Sequence, residues 1–317
     1  MTRQRPLPER VEIHEVGPRD GFQAEDRHIP TERKVAIVDA LSRTGVDTIQ
    51  VTSTVRPEAV PQLADAEEVM ERITRVPGVR YTVLVPNLRG AQRAVPMRAD
   101  GWELMLSVTD AHSRSNANRD TDAALEGLRP VARLAAGQGV EVTGGMATAL
   151  GCPFEGRVPY ERLRYVVAAY QEMSVHRVSV ADTVGVGDPA LVGETMTRLR
   201  EDFPAITFGL HLHNTRGMGL ANALAGLGAG VTSFDASVGG LGGCPFAPGA
   251  SGNVATEDLV HMLRLMGVET RADLGSLLAL ARGPVTEAVN HRLESSVARA
   301  GTAWDLHEAP GRQDLTA

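Results

Sequence analysis

Two periodicities take turns along the chain. Val11-Glu12-Ile13-His14-Glu15-Val16 alternates apolar and polar positions, as a strand covered on one side does. It stops at Gly17-Pro18. Over 31–43 the spacing changes to that of a helix, with Val35, Ile37, Val38 and Leu41 apolar. Thr31 is expected as its N-cap, and Gly45 stands where a helix-ending glycine belongs. Residues 46–51 return to the strand pattern. The exchange continues, with helices predicted over 60–75, 88–98, 120–138, 160–173, 189–201, 218–227 and 256–266. Strands are predicted between them over 80–85, 103–108, 141–148, 177–181, 207–212 and 231–237. Such regular alternation means parallel strands joined by helical crossovers. Eight units at this length favour a closed (β/α)8 TIM barrel over an open doubly wound sheet. The first turn lacks G-x-G-x-x-G, so no dinucleotide site is expected. Two more helical stretches, 271–281 and 285–297, follow the barrel. A single domain over 1–300 is expected, with its C-terminal helices from about 271 and a flexible tail over 301–317.

Composition changes this picture little. The chain has 317 residues, 43% of them hydrophobic, as in ordinary globular proteins. A formal charge of −7 offers no basic footprint for nucleic acid. No apolar run is long enough to span a bilayer. The first ten residues lack an apolar h-region, so no signal peptide is expected and the cytoplasm is the expected compartment. Two cysteines, Cys152 and Cys244, are too few for a disulfide framework. The extra terminal helices suggest subunit contact in a homodimer or higher homo-oligomer.

Candidate chemistry sits where barrels of this kind carry it, at the C-terminal ends of the strands. The eighth strand runs into residues 239–253, a stretch rich in glycine and proline that no helix or strand interior tolerates. A long loop inside a compact domain is usually functional, and this one carries Cys244. It is read as a lid with a thiol able to act as acid or base. His211 and His213 lie two apart on the seventh strand, so both imidazoles point to one face. With Asp20, at the end of the first strand, they make a set of two histidines and a carboxylate. Asn253 adds a carbonyl oxygen. This mixed set suits Mg2+ or Mn2+, and less well Zn2+ or Fe2+. Arg19 and Asp20 are expected on alternate faces of a strand end. Gln50 and Thr52 end the second strand and Thr148 the fifth. Asp182, after the sixth, is either a carboxylate orienting a ligand or the cap of the next helix. Cys152 precedes Pro-Phe as Cys244 does, and reads as a buried small side chain.

Gly17-Pro18-Arg19-Asp20-Gly21, His211-Leu212-His213-Asn214 and the loop from Gly240 to Asp258 resemble the 3-hydroxy-3-methylglutaryl-CoA lyase family. The likeness runs over about 11–297. It implies metal-dependent cleavage of a 3-hydroxyacyl-CoA into acetyl-CoA and a keto acid. It implies that Asp20, His211, His213 and Asn253 hold the metal and that Asp20 or His211 takes the hydroxyl proton. Arg19 would stabilise the enolate, and Cys244 would help protonate the product. Asp182 and Glu257 match supporting acidic positions. Four positions depart from the pattern: Gln50 replaces a glutamate, Thr54 an aromatic, Asn214 an aspartate and Asp26 a lysine that meets the CoA phosphates, with Arg27 as a candidate substitute. These departures imply a changed acyl pocket, wider or more polar at Thr54, and an enzyme that Gln50→Glu would activate. Three readings stand at this point: a lyase on 3-hydroxy-3-methylglutaryl-CoA or a relative such as citramalyl-CoA, a condensing acyltransferase or aldolase using the same enolate chemistry, and a catalytically silent barrel.

Overall fold

The alternation resolves into eight parallel strands that close on themselves, β8 pairing with β1. The computed structural model describes residues 7–243 and 252–306, so Cys244 lies outside the described residues. The strands are β1 (Glu12–Glu15), β2 (Thr48–Ser53), β3 (Arg80–Leu84), β4 (Gly101–Ser107), β5 (Glu141–Ala147), β6 (Arg177–Asp182), β7 (Thr207–Leu212) and β8 (Ser233–Ala236). The helices are α1 (Thr31–Leu41), α2 (Ala66–Arg72), α3 (Leu88–Ala94), α4 (Asp110–Ala117), α5 (Thr121–Gln138), α6 (Tyr160–Glu172), α7 (Pro189–Asp202), α8 (Gly219–Gly228) and α9 (Thr256–Leu265), then α10 (Leu274–Leu280), α11 (Thr286–Val289) and α12 (Ser296–Ala300). This is the (β/α)8 TIM barrel that the periodicity predicts.

Side-chain parity organises it. Ile13, Ile49, Tyr81, Val83, Trp102, Leu104, Val178, Val180, Leu210 and Phe234 face the helices and form the apolar core. The alternate positions turn inward, and several are polar: His14, Gln50, Thr82, Glu103, Ser179, His211 and Asp235 are joined in hydrogen-bonded groups. Buried polar groups persist only when paired in this way. On β2 the register against β3 shifts between Gln50 and Thr52. Such a bulge re-aims side chains beside a site.

Local departures have local causes. Pro30, not Thr31, occupies the N-cap of α1, and the Thr31 hydroxyl donates to Asp65 at 2.7 Å. The helix predicted over 60–75 is split into a single 3-10 turn, Pro61–Leu63, and α2. Gln62 accounts for the split: its amide accepts from the Ile29 N–H at 3.0 Å and donates to the Arg27 carbonyl at 2.8 Å. That turn is thereby tied to the chain ahead of α1. Helix α4 has no apolar stripe to announce it. Past α12, residues 301–306 include Trp304, whose ring lies 4.8 Å from the Arg264 guanidinium. No helix among the described residues is long and apolar enough to cross a membrane.

Candidate active site

At the end of β1 the chain does not run on as a strand. Gly17–Gly21 forms one π-helical turn, in which the Val16 carbonyl accepts from the Arg19, Asp20 and Gly21 N–H groups at 3.1, 2.7 and 3.4 Å. Gly17 is required there, because a Cβ would lie 2.6 Å from the Glu15 carboxylate that accepts its N–H. The turn corrects the expectation that Arg19 and Asp20 alternate faces. Both reach the barrel mouth, where Arg19 Nη1 donates to Asp20 Oδ1 at 2.5 Å. π turns of this kind recur at functional sites.

His211 and His213 meet there as their spacing predicts, with their Nε2 atoms 3.2 Å apart. Asp20 Oδ2 lies 3.8 Å from His211 Nε2 and 4.0 Å from His213 Nε2. The three buried side chains offer ligand atoms within 4.8 Å of one another. Asp235, which sequence reasoning missed, takes His211 Nδ1 at 3.1 Å. That contact leaves Nε2 as the nitrogen turned toward Asp20 and His213. The missing signal was available, since Asp235 shares its inward parity with Ser233 on β8. Burial works against charge on Asp20, but Arg19, His211 and His213 outweigh it and hold the carboxyl at about 2. Burial likewise opposes the Asp235 anion, yet hydrogen bonds from His14 and His211 keep it far below the usual carboxylate range. For His211 burial is outweighed by Asp235, which raises it. Burial and then the neighbouring His211 lower His213 to about 4. The two imidazoles thus face each other with their affinities for a proton shifted in opposite directions.

Asn253 closes this centre from the far end of the glycine loop. Its Nδ2 donates to Asp20 Oδ2 at 2.7 Å and to the Leu241 carbonyl at 3.0 Å, while its buried Oδ1 has no hydrogen-bond partner. Rotating the amide would present that oxygen beside Asp20. An anionic carboxylate, two imidazole nitrogens and an orphaned amide oxygen fit a divalent cation by donor type and by spacing.

Behind Arg19, the Gln50 oxygen accepts from Arg19 Nε and the Gln50 nitrogen donates to Glu103 Oε2. Burial raises Glu103, and Asp235 adds to this. The expectation that Gln50→Glu would activate the enzyme is thereby revised, because a new carboxylate would confront Glu103 in a buried place.

Other sequence candidates lie elsewhere. Asp182 shares the outward parity of Val178 and Val180, and its two oxygens accept from the Val186 and Gly187 N–H groups at 2.9 and 3.0 Å. It braces the loop after β6; Asp188 caps α7. Both expectations for Asp182 are thus corrected. Thr148 holds a left-handed backbone, φ 59°, and its hydroxyl faces the Ala147 carbonyl and Thr109. Thr52 is buried, and neither it nor Thr148 lines the cavity described below. Thr54 turns its hydroxyl toward the Leu84 carbonyl at 3.3 Å and does not widen that cavity. Asn214 accepts from the Gly219 N–H at the start of α8. Cys152 is buried, its sulfur accepting from Thr109 Oγ1 at 3.1 Å.

Glu257 does not line the cavity described below. Its two oxygens accept from the Gly239 N–H at 3.0 and 3.1 Å, anchoring the base of the glycine loop. Beside it Glu15 accepts from the Val238 N–H at 2.9 Å and from Thr256 Oγ1 at 2.6 Å. Burial pushes Glu257 from 4.5 up to about 8 and Glu15 up to about 7. A carboxyl raised in the folded state keeps its proton while the unfolded chain has lost it. Its stabilising effect is complete below about 4.5 and disappears as pH rises through about 8. Urea unfolding at about pH 5 and about pH 8 is expected to show native stability falling by a few kcal/mol, on the order of 4 from Glu257. Glu257→Gln flattens that slope and leaves the smaller part from Glu15. An unchanged slope would refute the assignment.

Arg19, Asp20, His211 and His213 line a cavity of about 1560 Å³, together with Arg56, Asn87, His112, Ser113 and Arg119. Its volume exceeds the ~300–1,000 Å³ of ordinary small-molecule pockets. Asp26 lines it, but Arg27 lines a neighbouring cavity of about 480 Å³ instead. Helix α4, missed from the sequence, supplies His112 and Ser113.

A closed parallel barrel with a buried, charged centre at the C-terminal ends of its strands defines a (β/α)8-barrel enzyme. Comparison with known proteins makes this specific. The HMGL-like family model matches residues 10–283. A mitochondrial hydroxymethylglutaryl-CoA lyase of Mus musculus is 40% identical over 294 residues, covering 93% of this chain and 90% of the relative. The crystal structure of the Bacillus subtilis HMG-CoA lyase superposes with a TM-score of 0.90 at 40% identity, covering 93% of this chain and 98% of that one. An HMG-CoA lyase from Acinetobacter baumannii, in complex with coenzyme A and 3-methylmalate, gives 0.91 at 39% identity, with 95% and 98% covered. The chain belongs to the HMGL-like family, and it is a carbon–carbon lyase.

Proposed function

We propose that this chain cleaves 3-hydroxy-3-methylglutaryl-CoA to acetyl-CoA and a keto acid, using Mg2+ or Mn2+ held by Asp20, His211, His213 and Asn253. The carrying observation is the buried cluster of Asp20, His211 and His213 at the mouth of the barrel, bonded to Arg19 through Asp20. The identity to lyases of that name supports the substrate. The large cavity, with Arg56 and Arg119 in its walls, suits an acyl group carried on a phosphorylated arm.

The bound cation would polarise the substrate oxygens as a Lewis acid. Asp20 or His211 takes the proton of the 3-hydroxyl, with Asp235 orienting the His211 ring. As the carbon–carbon bond breaks, its electron pair moves onto the thioester carbonyl. Arg19 stabilises that enolate oxygen by hydrogen bonding. Protonation at carbon gives acetyl-CoA, a step in which Cys244 is the candidate donor. Citramalyl-CoA is the second substrate to assay, given the departure at Asp26, which lines the cavity.

Purified protein with Mg2+ or Mn2+ is expected to release acetyl-CoA from 3-hydroxy-3-methylglutaryl-CoA, and a chelator should stop it. Absence of turnover across a panel of hydroxyacyl-CoA thioesters, despite metal binding, would overturn the reading.

A further inference from the structure

The reaction as derived leaves unused a row of groups behind Arg19, two of them buried and the third, Glu103, half-buried. Gln50 on β2, Thr82 on β3 and Glu103 on β4 share the inward parity, yet none lines the cavity. They form one directed chain. Arg19 Nε donates to Gln50 Oε1, Gln50 Nε2 donates to Glu103 Oε2, and Thr82 Oγ1 donates to Glu103 Oε1 at 2.5 Å. An arginine can only donate and a carboxylate can only accept. An amide is the side chain that joins the two, and its orientation is dictated by both neighbours. The guanidinium is consequently held on two edges, Nε by Gln50 and Nη1 by Asp20. Its remaining N–H groups are left for the cavity.

We propose that Glu103 is a positioning residue of the active site: acting through the Gln50 amide, it fixes the Arg19 guanidinium and supplies its second negative charge. The inference rests on the reading that Arg19 serves the lyase reaction. Asp20 is the nearer counter-charge, but a carboxylate that also holds a cation divides its charge. Glu103 stands outside the cation cluster, and a charge on it acts on both His14 and Arg19. Glutamine is the form that fits: a glutamate at 50 would set two acceptor-only groups against each other.

The test is a swap. Glu103→Gln keeps the shape and removes the charge, and kcat is expected to fall about tenfold with KM within about twofold of the native value. Gln50→Glu alone should also lower kcat, because two carboxylates then face each other. The double variant Gln50→Glu/Glu103→Gln rebuilds the chain in reverse order. The amide now on β4 would donate to the carboxylate now on β2, which still accepts from Arg19, and kcat should recover to within about threefold. A purely structural role for Glu103 predicts no such rescue. Single variants with native kcat, or a double variant no better than the singles, overturn the proposal. The second readout needs no turnover: the Arg19 Nε–H resonance of 15N-arginine-labelled protein. It should be protected from exchange in the native protein and shifted by Glu103→Gln, then return toward the native position in the swap. If native protein cleaves no acyl-CoA, the lyase reading falls, and this resonance still decides the positioning role. A resonance unmoved by Glu103→Gln overturns it.

Discussion

Asp20→Asn is expected to end lyase turnover, lowering kcat by about 10³-fold or more, roughly 4 kcal/mol of activation free energy. Five groups converge on this carboxylate, one of them Gln23, whose Nε2 donates to Oδ1 at 2.9 Å. Arg19 Nη1 donates to Oδ1 at 2.5 Å, Asn253 Nδ2 donates to Oδ2 at 2.7 Å, and both imidazole Nε2 atoms stand within 4.0 Å of Oδ2. Arg19 and the two histidines hold its carboxyl at about 2, which favours the anion near neutral pH. Asparagine keeps the size but removes the charge that a divalent cation would meet. It also leaves Arg19 a neutral acceptor and sets two amides, 20 and 253, against each other. Calorimetric titration with Mn2+ should show affinity weakened about 100-fold, in step with the kinetic loss. Native metal affinity together with kcat within tenfold of native would remove Asp20 from the ligand set.

Arg19→Lys carries the second largest effect. A lysine keeps the positive charge but has one nitrogen, whereas the guanidinium serves Gln50 with Nε, Asp20 with Nη1 and the cavity with what remains. A preorganised donor to a developing oxyanion is worth about 10²–10³ in rate. A fall in kcat of that size is expected, with a much smaller change in KM. Exchange of acetyl-CoA methyl protons with deuterium oxide isolates the enolate step, because it requires no carbon–carbon bond to break. That exchange should slow by a similar factor. Undiminished exchange in Arg19→Lys would place the guanidinium outside the enolate chemistry. Both variants leave the β7 histidine pair intact, so a shared loss of folding is separable by comparing their thermal unfolding with that of the native chain.

The eightfold exchange of strand and helix was legible because burial on a strand repeats every two residues and on a helix every 3.6, both within a short window. For the same reason the histidine pair was legible: residues two apart on β7 share a face whatever surrounds them. Polar α4 and the helix interrupted at Pro61–Leu63 were not legible, since neither leaves an apolar period to read. Asp182 and Glu257 were acidic residues near strand ends and loop, but proximity in sequence did not say which way they face. Parity turns Asp182 outward, and the Gly239 N–H claims Glu257.

By itself, then, the amino-acid order determined the barrel, the face on which His211 and His213 meet, and the family resemblance carried by Arg19-Asp20 and the glycine loop. Tertiary structure alone decided the company these residues keep. Barrel closure brings Asp20 and Asn253 together across 233 positions and aligns Asp235 on β8 with His211 on β7. It also stacks Gln50 and Glu103 across 53 positions behind Arg19. Periodicity is a property of neighbours along the chain, whereas a hydrogen bond between inward-facing strands depends on how all eight strands tilt and register at once.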